Sequence, residues 1–408
     1  MIHYGRAPFL DLFPGSRVPS YPRHKGPLTS EVVIVGGGLT GCATAYAFAA
    51  AGVRTVLIEA DHVGRGTTSS AAGWIADDPG VSYLSIEQAI GRRSARRAWQ
   101  AWRRAALDGA ATLRRLGIKC DLNTTASLTL AATGDQLTRM TRELKARRAA
   151  DLEAPFLNAR AVGAEVAIAS AGALRGKDGA TLDPYRACLG LAAAARERGA
   201  VLFERSPVKK ITFGRKAVDV RTAGGTIRAE QVVIATGTPT DLFASLQRHF
   251  WFRTSYLALT GRVPAKVRQQ LGKRKTVVRD SGDPPHIVRW VNDEQLLVAG
   301  ADHETPPDRL REKTVVQRTG QLMYELSTMY PDISGILPEY GWDAPYARTA
   351  DGLPYIGPHR NFPRHLFAFG DSSHSVTGAY LASRILLRHY LGELDPADEL
   401  FAFTRNVR

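Results

Sequence analysis

The sequence predicts an α/β protein that combines a mostly parallel sheet with a second, antiparallel sheet. Three observations predict this fold class. A buried strand, a glycine turn and an Ala-rich helix follow one another over residues 32–52, and a second strand–glycine–helix succession surrounds Gly370. Residues 249–300, in contrast, contain several strand-like runs without the helix–strand alternation of parallel sheets. The chain of 408 residues is long enough for two or three domains.

The first succession carries a nucleotide-binding pattern. Gly36, Gly38 and Gly41 fit G-x-G-x-x-G, and Glu59 follows the next apolar strand. In such a β-α-β unit the glycines let the backbone approach a pyrophosphate, and the helix N-terminus supplies unpaired N–H groups. The acidic residue accepts hydrogen bonds from a ribose. The sequence therefore predicts a Rossmann-type dinucleotide site in this part of the chain.

The other elements are predicted in chain order. Residues 1–30 are expected to form an extended arm. Residues 61–80 are dense in Gly, Ser and Thr, so they form a loop at the carboxyl edge of the parallel sheet, where ligands bind. Residues 155–170 stay ambiguous. We predict helices at 88–117, 134–150, 185–198, 264–271 and 308–329, and strands at 127–131, 201–204, 216–221, 226–229, 232–235, 249–263, 277–278, 286–291 and 295–300.

The net charge of +15 does not by itself indicate a nucleic-acid partner. Many of the arginines fall in one segment, 88–117, whose apolar residues recur at spacings of three and four and predict an amphipathic helix with basic flanks. The residues of its buried stripe are Ala95, Trp99, Trp102, Ala106, Ala110 and Leu113. Because no nucleic-acid-binding motif accompanies the charge, we expect a solvated helix face and no nucleic acid as partner.

Cysteine spacing and hydropathy favour a cytoplasmic location. Cys42, Cys120 and Cys188 are widely spaced and form neither a disulfide framework nor a metal site, so we predict no bound metal. No uncharged apolar run approaches the roughly 20 residues of a membrane span. The first residues lack the apolar core of a secretory signal, so no leader is expected.

The last part of the chain predicts a second half for the site. Residues 346–360 read YARTADGLPYIGPHR, and a strand, LFAFG, then ends at Gly370. Hydroxyl residues and an amphipathic helix follow. This succession again directs backbone donors towards an electron-rich ligand.

These motifs resemble the FAD-dependent amine and amino-acid oxidases of the D-amino-acid oxidase type, which include glycine and sarcosine oxidases. The resemblance covers residues 20–405 and is carried by VVIVGGGLTG with Glu59, GRGTTSSAAG, ERSPV followed by VVIATG, and ADGLPYIGP followed by LFAFG. It implies a discontinuous Rossmann-type FAD-binding domain and a separate antiparallel substrate domain. We expect boundaries at 1–30 for the arm, 31–118, 172–240 and 341–408 for the FAD domain, and 119–171 and 241–340 for the substrate domain.

The resemblance also implies a set of cofactor-binding residues along non-covalently bound FAD. The first group holds the pyrophosphate, the ribose and the phosphates, and comprises Gly36, Gly38, Leu39, Thr40, Gly41, Glu59, Ala60, Arg65, Gly66, Thr67 and Thr68. The second group approaches the flavin ring, the adenine and the ribityl chain, and comprises Ala72, Gly73, Trp74, Val208, Ala235, Thr236, Gly237, Gly352, Gly370, Asp371, Ser373, His374, Ser375, Val376 and Thr377.

The chain departs from the family where the substrate is read. Glycine oxidase-like members carry an Arg shortly after the glycine that matches Gly370, and this chain has Asp-Ser-Ser-His instead. Sarcosine oxidase-like members carry a C-terminal Cys bonded to the flavin, and no Cys follows Cys188 here. An unmodified amino acid is therefore not assured as the substrate.

The candidate catalytic residues are Arg348, His374, Tyr256 and Tyr346. Arg348 is the first choice for a substrate carboxylate or for flavin charge, and His374 is the polar group expected beside the ring. In the strand 286–291, alternation allows either His286 with Trp290, or Arg289, to face the pocket.

The expected reaction is oxidation of a C–N bond in a small amine or amino acid by hydride transfer to flavin N5. The imine then hydrolyses, and O2 or another acceptor reoxidises the flavin. Two alternatives stay open. Gly370-Asp371 also matches the GD motif of flavin hydroxylases, although the residues after it are expected to be too few for such an enzyme. A non-catalytic FAD-binding subunit would bind flavin that no amine reduces.

Overall fold

The computed structural model of the protein describes residues 2–370 and 375–405. Within these residues the strands, in chain order, are β1 (His3–Tyr4), β2 (Leu28–Thr29), β3 (Val32–Val35), β4 (Thr55–Ile58), β5 (Trp74–Ile75), β6 (Asn123–Ala131), β7 (Phe156–Asn158), β8 (Gly172–Thr181), β9 (Val201–Phe203), β10 (Lys210–Phe213), β11 (Val218–Arg221), β12 (Thr226–Ala229), β13 (Gln231–Gly237), β14 (Trp251–Thr260), β15 (Thr276–Arg279), β16 (Ile287–Val291), β17 (Gln295–Glu304), β18 (Pro338–Arg348), β19 (Tyr355–His359) and β20 (Phe362–Phe369).

The α-helices of the same residues are α1 (Pro8–Asp11), α2 (Leu39–Ala50), α3 (Thr67–Ser70), α4 (Tyr83–Ile90), α5 (Arg92–Arg115), α6 (Gly134–Ala149), α7 (Ala159–Val166), α8 (Pro184–Glu197), α9 (Ala265–Arg268), α10 (Asp308–Met329) and α11 (Thr377–Leu391). Short 3-10 turns lie at Gly15–Arg17, Asp241–His249, Pro331–Ile333 and Asp398–Phe401. The predicted helix at 308–329 has these same bounds. In the ambiguous segment 155–170, β7 is followed by α7.

A parallel sheet forms the first layer, in the order β19-β20-β13-β3-β4-β9. All neighbours run parallel except β19, which is antiparallel to β20. Its central strands are continuous apolar runs because helices and a second sheet cover both faces. Helices α2, α8 and α11 pack together on one face, and the small sheet β10-β11-β12-β2 covers the other. The predicted Rossmann-type sheet is confirmed.

The second sheet is larger and mixed. Its order is β1-β18-β14-β17-β16-β15-β6-β8-β5, with β7 beside β8. Most pairs are antiparallel, as predicted, but β1 runs parallel to β18 and β15 runs parallel to β6. The pair of β15 and β6 joins two distant parts of the chain, since β9 to β13, which lie between them in sequence, belong to the other two sheets. A separate, mostly antiparallel sheet is therefore present, with a more complex topology than sequence alternation predicted.

The two faces of the large sheet have different neighbours. On one face, Val288, Trp290 and Tyr256 belong to a core that includes α10. On the other face, Leu257 and Trp342 belong to the core that includes α2, α8 and α11. The second face therefore looks towards the parallel sheet, and a ligand held between the sheets meets side chains of that face only.

Strand β8 lies in the large sheet, although our expected boundaries place 172–181 with the FAD domain. The boundaries themselves stay a prediction. Helix α5 buries the predicted stripe, Ala95, Trp99, Trp102, Ala106, Ala110 and Leu113. No helix among the described residues has the length and apolar character that crossing a membrane requires.

Candidate functional site

The glycine turn after β3 is closed by backbone contacts that leave no room for a side chain. Gly36 has a φ of +109°, and a Cβ there would lie 2.5 Å from the carbonyl oxygen of Ala235. A Cβ on Gly41 would lie 1.8 Å from the carbonyl oxygen of Gly36. Helix α2 therefore begins directly against the strand ends, with Gly38 as its extended N-cap residue.

The carboxylate of Glu59 lies beside this turn. Its Oε2 accepts a hydrogen bond from the Gly37 N–H at 2.6 Å, and its Oε1 accepts one from the Asp61 N–H at 2.8 Å. An ionised carboxylate has about four acceptor positions, so each oxygen keeps one for another donor. The predicted role of Glu59, to accept from a pair of ribose hydroxyls, matches this geometry.

The loop from Arg65 to Thr68 runs next to the start of α2. Thr68 Oγ1 accepts a hydrogen bond from the Leu39 N–H at 2.8 Å, so the loop and the helix start are tied together. Gly66 is the N-cap residue of the short helix α3. A Cβ added to Gly66 or to Gly237 would meet no described atom within 4 Å, so the backbone has open space at both positions.

The segment after β9 runs beside Glu59. The Ser206 N–H donates to the Glu59 carbonyl at 2.9 Å, and the Arg205 N–H donates to the Asp61 carbonyl at 2.8 Å. Ala60, which follows Glu59, is exposed, and Val208, two residues after Ser206, is half-buried. The structure thus brings the predicted adenine-side segment next to the predicted ribose-binding acid.

We call residues 61–80 the flavin loop; strand β5, within this loop, contacts the start of α11. The Val376 N–H donates to the Trp74 carbonyl at 2.9 Å, and Thr377 Oγ1 donates to the Ala76 carbonyl at 2.8 Å. Ser375 Oγ accepts from the Ala76 N–H at 3.2 Å. Residues 300 positions apart in the chain therefore form one wall of the site.

The glycines at the ends of the parallel strands also meet. The Gly370 N–H donates to the Gly237 carbonyl at 3.3 Å. The turn that contains Gly352 is fixed by the buried carboxylate of Asp351, which pairs with Arg405 at 2.7 and 2.8 Å. The predicted residues Asp371, Ser373 and His374 lie outside the described residues.

A family model described as "FAD dependent oxidoreductase" matches residues 31–388. The chain belongs to this DAO family. Glycine oxidase of Bacillus licheniformis is 27% identical over 367 residues, which cover 87% of this chain and 93% of that protein. Gamma-glutamylputrescine oxidoreductase of Escherichia coli K12 is 26% identical over 377 residues, or 91% of this chain and 86% of that protein.

Among solved structures, glycine oxidase from Geobacillus kaustophilus superposes with a TM-score of 0.76 at 22% identity. The match covers 93% of this chain and all of that one. This likeness shows the same fold. The resemblance seen in the sequence is confirmed, and the protein is an FAD-dependent oxidoreductase.

The hydrogen-bond donors and acceptors of the glycine turn, of Glu59 and of the start of α2 are of the kinds that bind FAD. The turn Gly36–Gly41 closes tightly where a helix must approach a strand, whereas Gly66 and Gly237 leave open space for phosphate oxygens. Glu59 keeps acceptor capacity for ribose hydroxyls. Backbone N–H groups at the start of α2 add a positive dipole end.

A cavity of about 70 Å³ lies where the flavin loop, the large sheet and the last strands meet. Its lining includes Trp74, Arg279, Ile287, Tyr346, Arg348, Gly352, Gly370 and Ser375. A second cavity of about 430 Å³ shares Val81, Arg279, Asp283, Arg348 and Gly352 with it. The small cavity therefore opens into a larger one that a substrate can occupy.

Two of the predicted catalytic residues line the small cavity. The Tyr346 hydroxyl donates to Asp302 at 2.6 Å, and burial together with this carboxylate raises the pKa of Tyr346. Arg348 pairs with Asp283 at 2.8 Å, which raises the pKa of Arg348. Tyr346 therefore stays a neutral hydrogen-bond donor at neutral pH, and Arg348 stays a cation.

The structure does not bring Tyr256 to this cavity. Tyr256 is 1% exposed and lies on the α10 face of β14, where Arg318 stacks over its ring at 6.0 Å. The question about strand 286–291 is also answered. Ile287 and Arg289 face the flavin side, whereas Trp290 and the His286 side chain lie on the α10 side.

Two buried arginines of the large sheet hold the flavin loop. Arg279, at the end of β15, pairs with Asp78 through both guanidinium NH groups at 2.8 and 2.5 Å. Arg289 Nε donates to the Ala72 carbonyl at 2.5 Å. Burial lowers the pKa of Arg289 to about 10, against the opposing effect of Asp183. The two arginines fix the loop against the substrate sheet from opposite ends.

Sequence reasoning did not find the partners of these arginines. It weighed Arg289 only as a pocket residue, and it assigned no role to Arg279, Asp78, Asp283 or Asp302. The available signal was weak: charged residues at the ends of apolar strands, and an Asp-Asp-Pro-Gly sequence at the end of the flavin loop. Pairings across 201 positions, as between residues 78 and 279, leave no local pattern.

Proposed function

We propose that this protein oxidises a C–N bond in a small amine or amino acid. Held at the glycine turn and Glu59, FAD would supply the hydride acceptor for the carbon that bears the nitrogen; the resulting imine would be hydrolysed by water, and O2 or another acceptor would take up the two electrons. The observation that carries the proposal is the cavity in which the flavin-loop residue Trp74 and the glycines Gly352 and Gly370 meet the polar side chains of Tyr346 and Arg348.

The chain's own residues have separable tasks in this proposal. Arg348 attracts an anionic group of the substrate, since its cation lies at the cavity wall. Tyr346 holds Asp302 by a charge-assisted hydrogen bond and so fixes the orientation of that carboxylate. The apolar wall formed by Trp74 and Ile287 excludes water from the reacting carbon. The start of α11 favours negative charge on the ligand beside it.

We further propose that FAD is held without a covalent bond. Cys42 and Cys188 are fully buried, and each thiol lies 3.5 Å from the Gly37 carbonyl, where it packs beneath the glycine turn. Cys120 is also buried, and burial raises the pKa of its thiol to about 12. These free thiols fit the reducing cytoplasm, where we place the protein.

The relatives support the substrate class. One relative is a glycine oxidase, and another is a gamma-glutamylputrescine oxidoreductase, so the family includes proteins named for an amino acid and for an amine. A solved structure of the same fold is an L-proline dehydrogenase from P. horikoshii, at 18% identity and a TM-score of 0.72. We therefore propose an amine or amino acid as substrate, with no nucleic acid as partner.

The test is anaerobic reduction of the bound flavin. The purified protein should absorb at about 450 nm, and at least one member of a panel of amines and amino acids should reduce the flavin and bleach that band. Matched alcohols, which lack the nitrogen, serve as the control and should leave the band unchanged. A band that bleaches with a nicotinamide donor alone would favour a hydroxylase, and a band that no compound bleaches would favour a non-catalytic subunit.

A further inference from the structure

We propose that Asp283 is an internal ligand of Arg348 that a substrate carboxylate must displace. On this proposal, which rests on the proposed function, Asp283 sets the preference between amines with a carboxylate and amines without one. The residue is thus a specificity determinant of the cavity, although it lies on a loop outside the elements that hold the cofactor.

The ion pair has the geometry of a replaceable contact. Both carboxylate oxygens of Asp283 approach one guanidinium nitrogen of Arg348, at 2.8 and 3.0 Å. The side chain of Asp283 is 72% exposed and that of Arg348 is 34% exposed. Exposed pairs of this kind are weak because water competes for both charges. A carboxylate in a drier position can therefore replace Asp283.

The position of the loop places Asp283 where a substrate must pass. Asp283, Pro284 and Pro285 line the small cavity together with Ile287 and Tyr346. Asp283 also lines the larger cavity that opens next to it. Arg348 lines both cavities as well, so a substrate carboxylate that reaches Arg348 from either side meets it while it is paired with Asp283.

The base of this loop is held by Asp280, whose hydrogen bonds do not involve Asp283. Asp280 accepts hydrogen bonds from the Gly282 N–H at 2.8 Å and from the His286 N–H at 3.0 Å. The Asp280 carboxylate also pairs with the His286 ring at 2.8 Å. These contacts hold both ends of the loop, so Asp283 can leave Arg348 without unfolding its surroundings.

Two substrate classes should respond differently to this arrangement. An amino acid needs the guanidinium of Arg348 and must overcome the like charge of Asp283. An amine without a carboxylate leaves the pair of Asp283 and Arg348 intact. Removal of the Asp283 charge should therefore favour the first class and leave the second unchanged.

The experiment measures binding of benzoate to the flavin-loaded protein, followed by the change in the flavin absorbance spectrum. Benzamide, which has the same shape and no charge, is the matched ligand. Asp283→Asn should tighten benzoate binding about three- to fivefold and change benzamide binding less than twofold. In an Arg348→Gln background, Asp283→Asn should have a much smaller effect on benzoate, because no guanidinium is then released and only the like-charge repulsion is removed.

A matched control removes a different carboxylate of the same sheet. Asp293 is exposed in the turn between β16 and β17, and its φ of +55° suits Asn as well as Asp. Asp293→Asn should leave benzoate binding unchanged. An equal effect of both Asp→Asn variants would show that the net charge of the protein, and not the contact with Arg348, controls benzoate binding, and it would overturn the proposal.

Kinetics provides the second readout. With an amino acid and the amine that lacks only its carboxylate, Asp283→Asn should lower the ratio of the amino-acid KM to the amine KM about three- to fivefold. Equal changes for both compounds, or no gain in benzoate affinity, would overturn the role of Asp283. If benzoate binds more tightly but no amine or amino acid reduces the flavin, the proposed function fails and the Asp283–Arg348 competition stands.

Discussion

The glycine turn and the cavity face of the large sheet contribute to one site, but different forces hold them. In the turn, backbone atoms of Gly36, Gly41 and Ala235 pack at closest approach, and no side chain can be added. On the cavity face, charged side chains from distant strands pair with carboxylates, as Arg279 does with Asp78. Steric packing therefore fixes the turn, whereas charge pairs fix the cavity face.

The largest expected effect comes from a side chain in the turn. In Gly41→Ala the new Cβ would lie 1.8 Å from a backbone oxygen, so α2 must move away from β3. We expect loss of bound FAD and a decrease of about 3 kcal/mol in the free energy of unfolding. The FAD-to-protein ratio and urea denaturation measure the two effects.

Gly163→Ala is the matched control for that substitution. Gly163 lies inside α7, and a Cβ there would meet no described atom within 4 Å. This variant should keep its FAD, and its free energy of unfolding should rise by about 0.4–1 kcal/mol. If Gly41→Ala behaved like Gly163→Ala, the steric account of the turn would be wrong.

The next effect tests the charge pairs of the cavity face. Burial alone would raise the pKa of Asp78, but the charge and hydrogen bonds of Arg279 outweigh it and leave that pKa below its usual value. Arg279→Met leaves a buried carboxylate without its cation and should cost about 3–5 kcal/mol at pH 7. The added change Asp78→Asn should recover part of this loss, because no charge is then left unpaired.

The stability loss in Arg279→Met should depend on pH in a defined direction. In the natural protein the Asp78 pKa is depressed, so its stabilisation is present above the unfolded pKa of about 4 and is lost as pH falls through the folded value. In Arg279→Met, burial raises that pKa, so the deficit should shrink as pH falls from 8 to 5. Denaturation at several pH values measures it, and a deficit independent of pH would contradict the ion-pair account.

These two regions also differ in how much of them the sequence predicts. The turn is contiguous, since Gly36 to Gly41 and Glu59 lie within one β-α-β unit with its own spacing. The sequence therefore predicted the FAD-binding fold, and the structure brings most of the named cofactor residues together. The mixed order of the large sheet was not predictable, because pairing of β15 with β6 spans about 150 positions and depends on no local residue.

The cavity face shows the same limit at single residues. Alternation in strand 286–291 divided its side chains correctly between two faces, but it could not say which face meets the flavin loop. Packing against α10 decides this, because α10 covers Val288 and Trp290, so Arg289 lies on the opposite face, where it contacts Ala72. Local periodicity predicts which residues share a face, and only tertiary packing decides where that face points.

A smaller effect lies on the α10 side of the sheet. His286 pairs with Asp280 at 2.8 Å and with Glu325 at 3.0 Å, and its pKa is raised, first by the hydrogen bond to Asp280. This stabilisation is fully present below the unfolded pKa of about 6.5 and is lost as pH rises through the folded value. We expect the free energy of unfolding to fall by about 1 kcal/mol between pH 6 and pH 9.

His286→Asn should remove this slope, as measured by urea denaturation at pH 6 and pH 9. His303→Asn is the control, since His303 is exposed on the same sheet. Equal slopes in the natural protein and in His286→Asn would show that other groups cause the pH dependence.

The last comparison separates two tyrosines that the sequence analysis treated alike. The Tyr346 hydroxyl binds Asp302 at the cavity, so Tyr346→Phe should lower kcat/KM about tenfold. The Tyr256 hydroxyl makes no hydrogen bond within residues 2–370 and 375–405, and its ring packs on the α10 side. Tyr256→Phe should change the free energy of unfolding by less than about 0.5 kcal/mol and kcat/KM by less than twofold. A loss of activity in Tyr256→Phe equal to that in Tyr346→Phe would place a catalytic group on the α10 face of the sheet. The conclusion that only the cavity face contributes to catalysis would then be wrong.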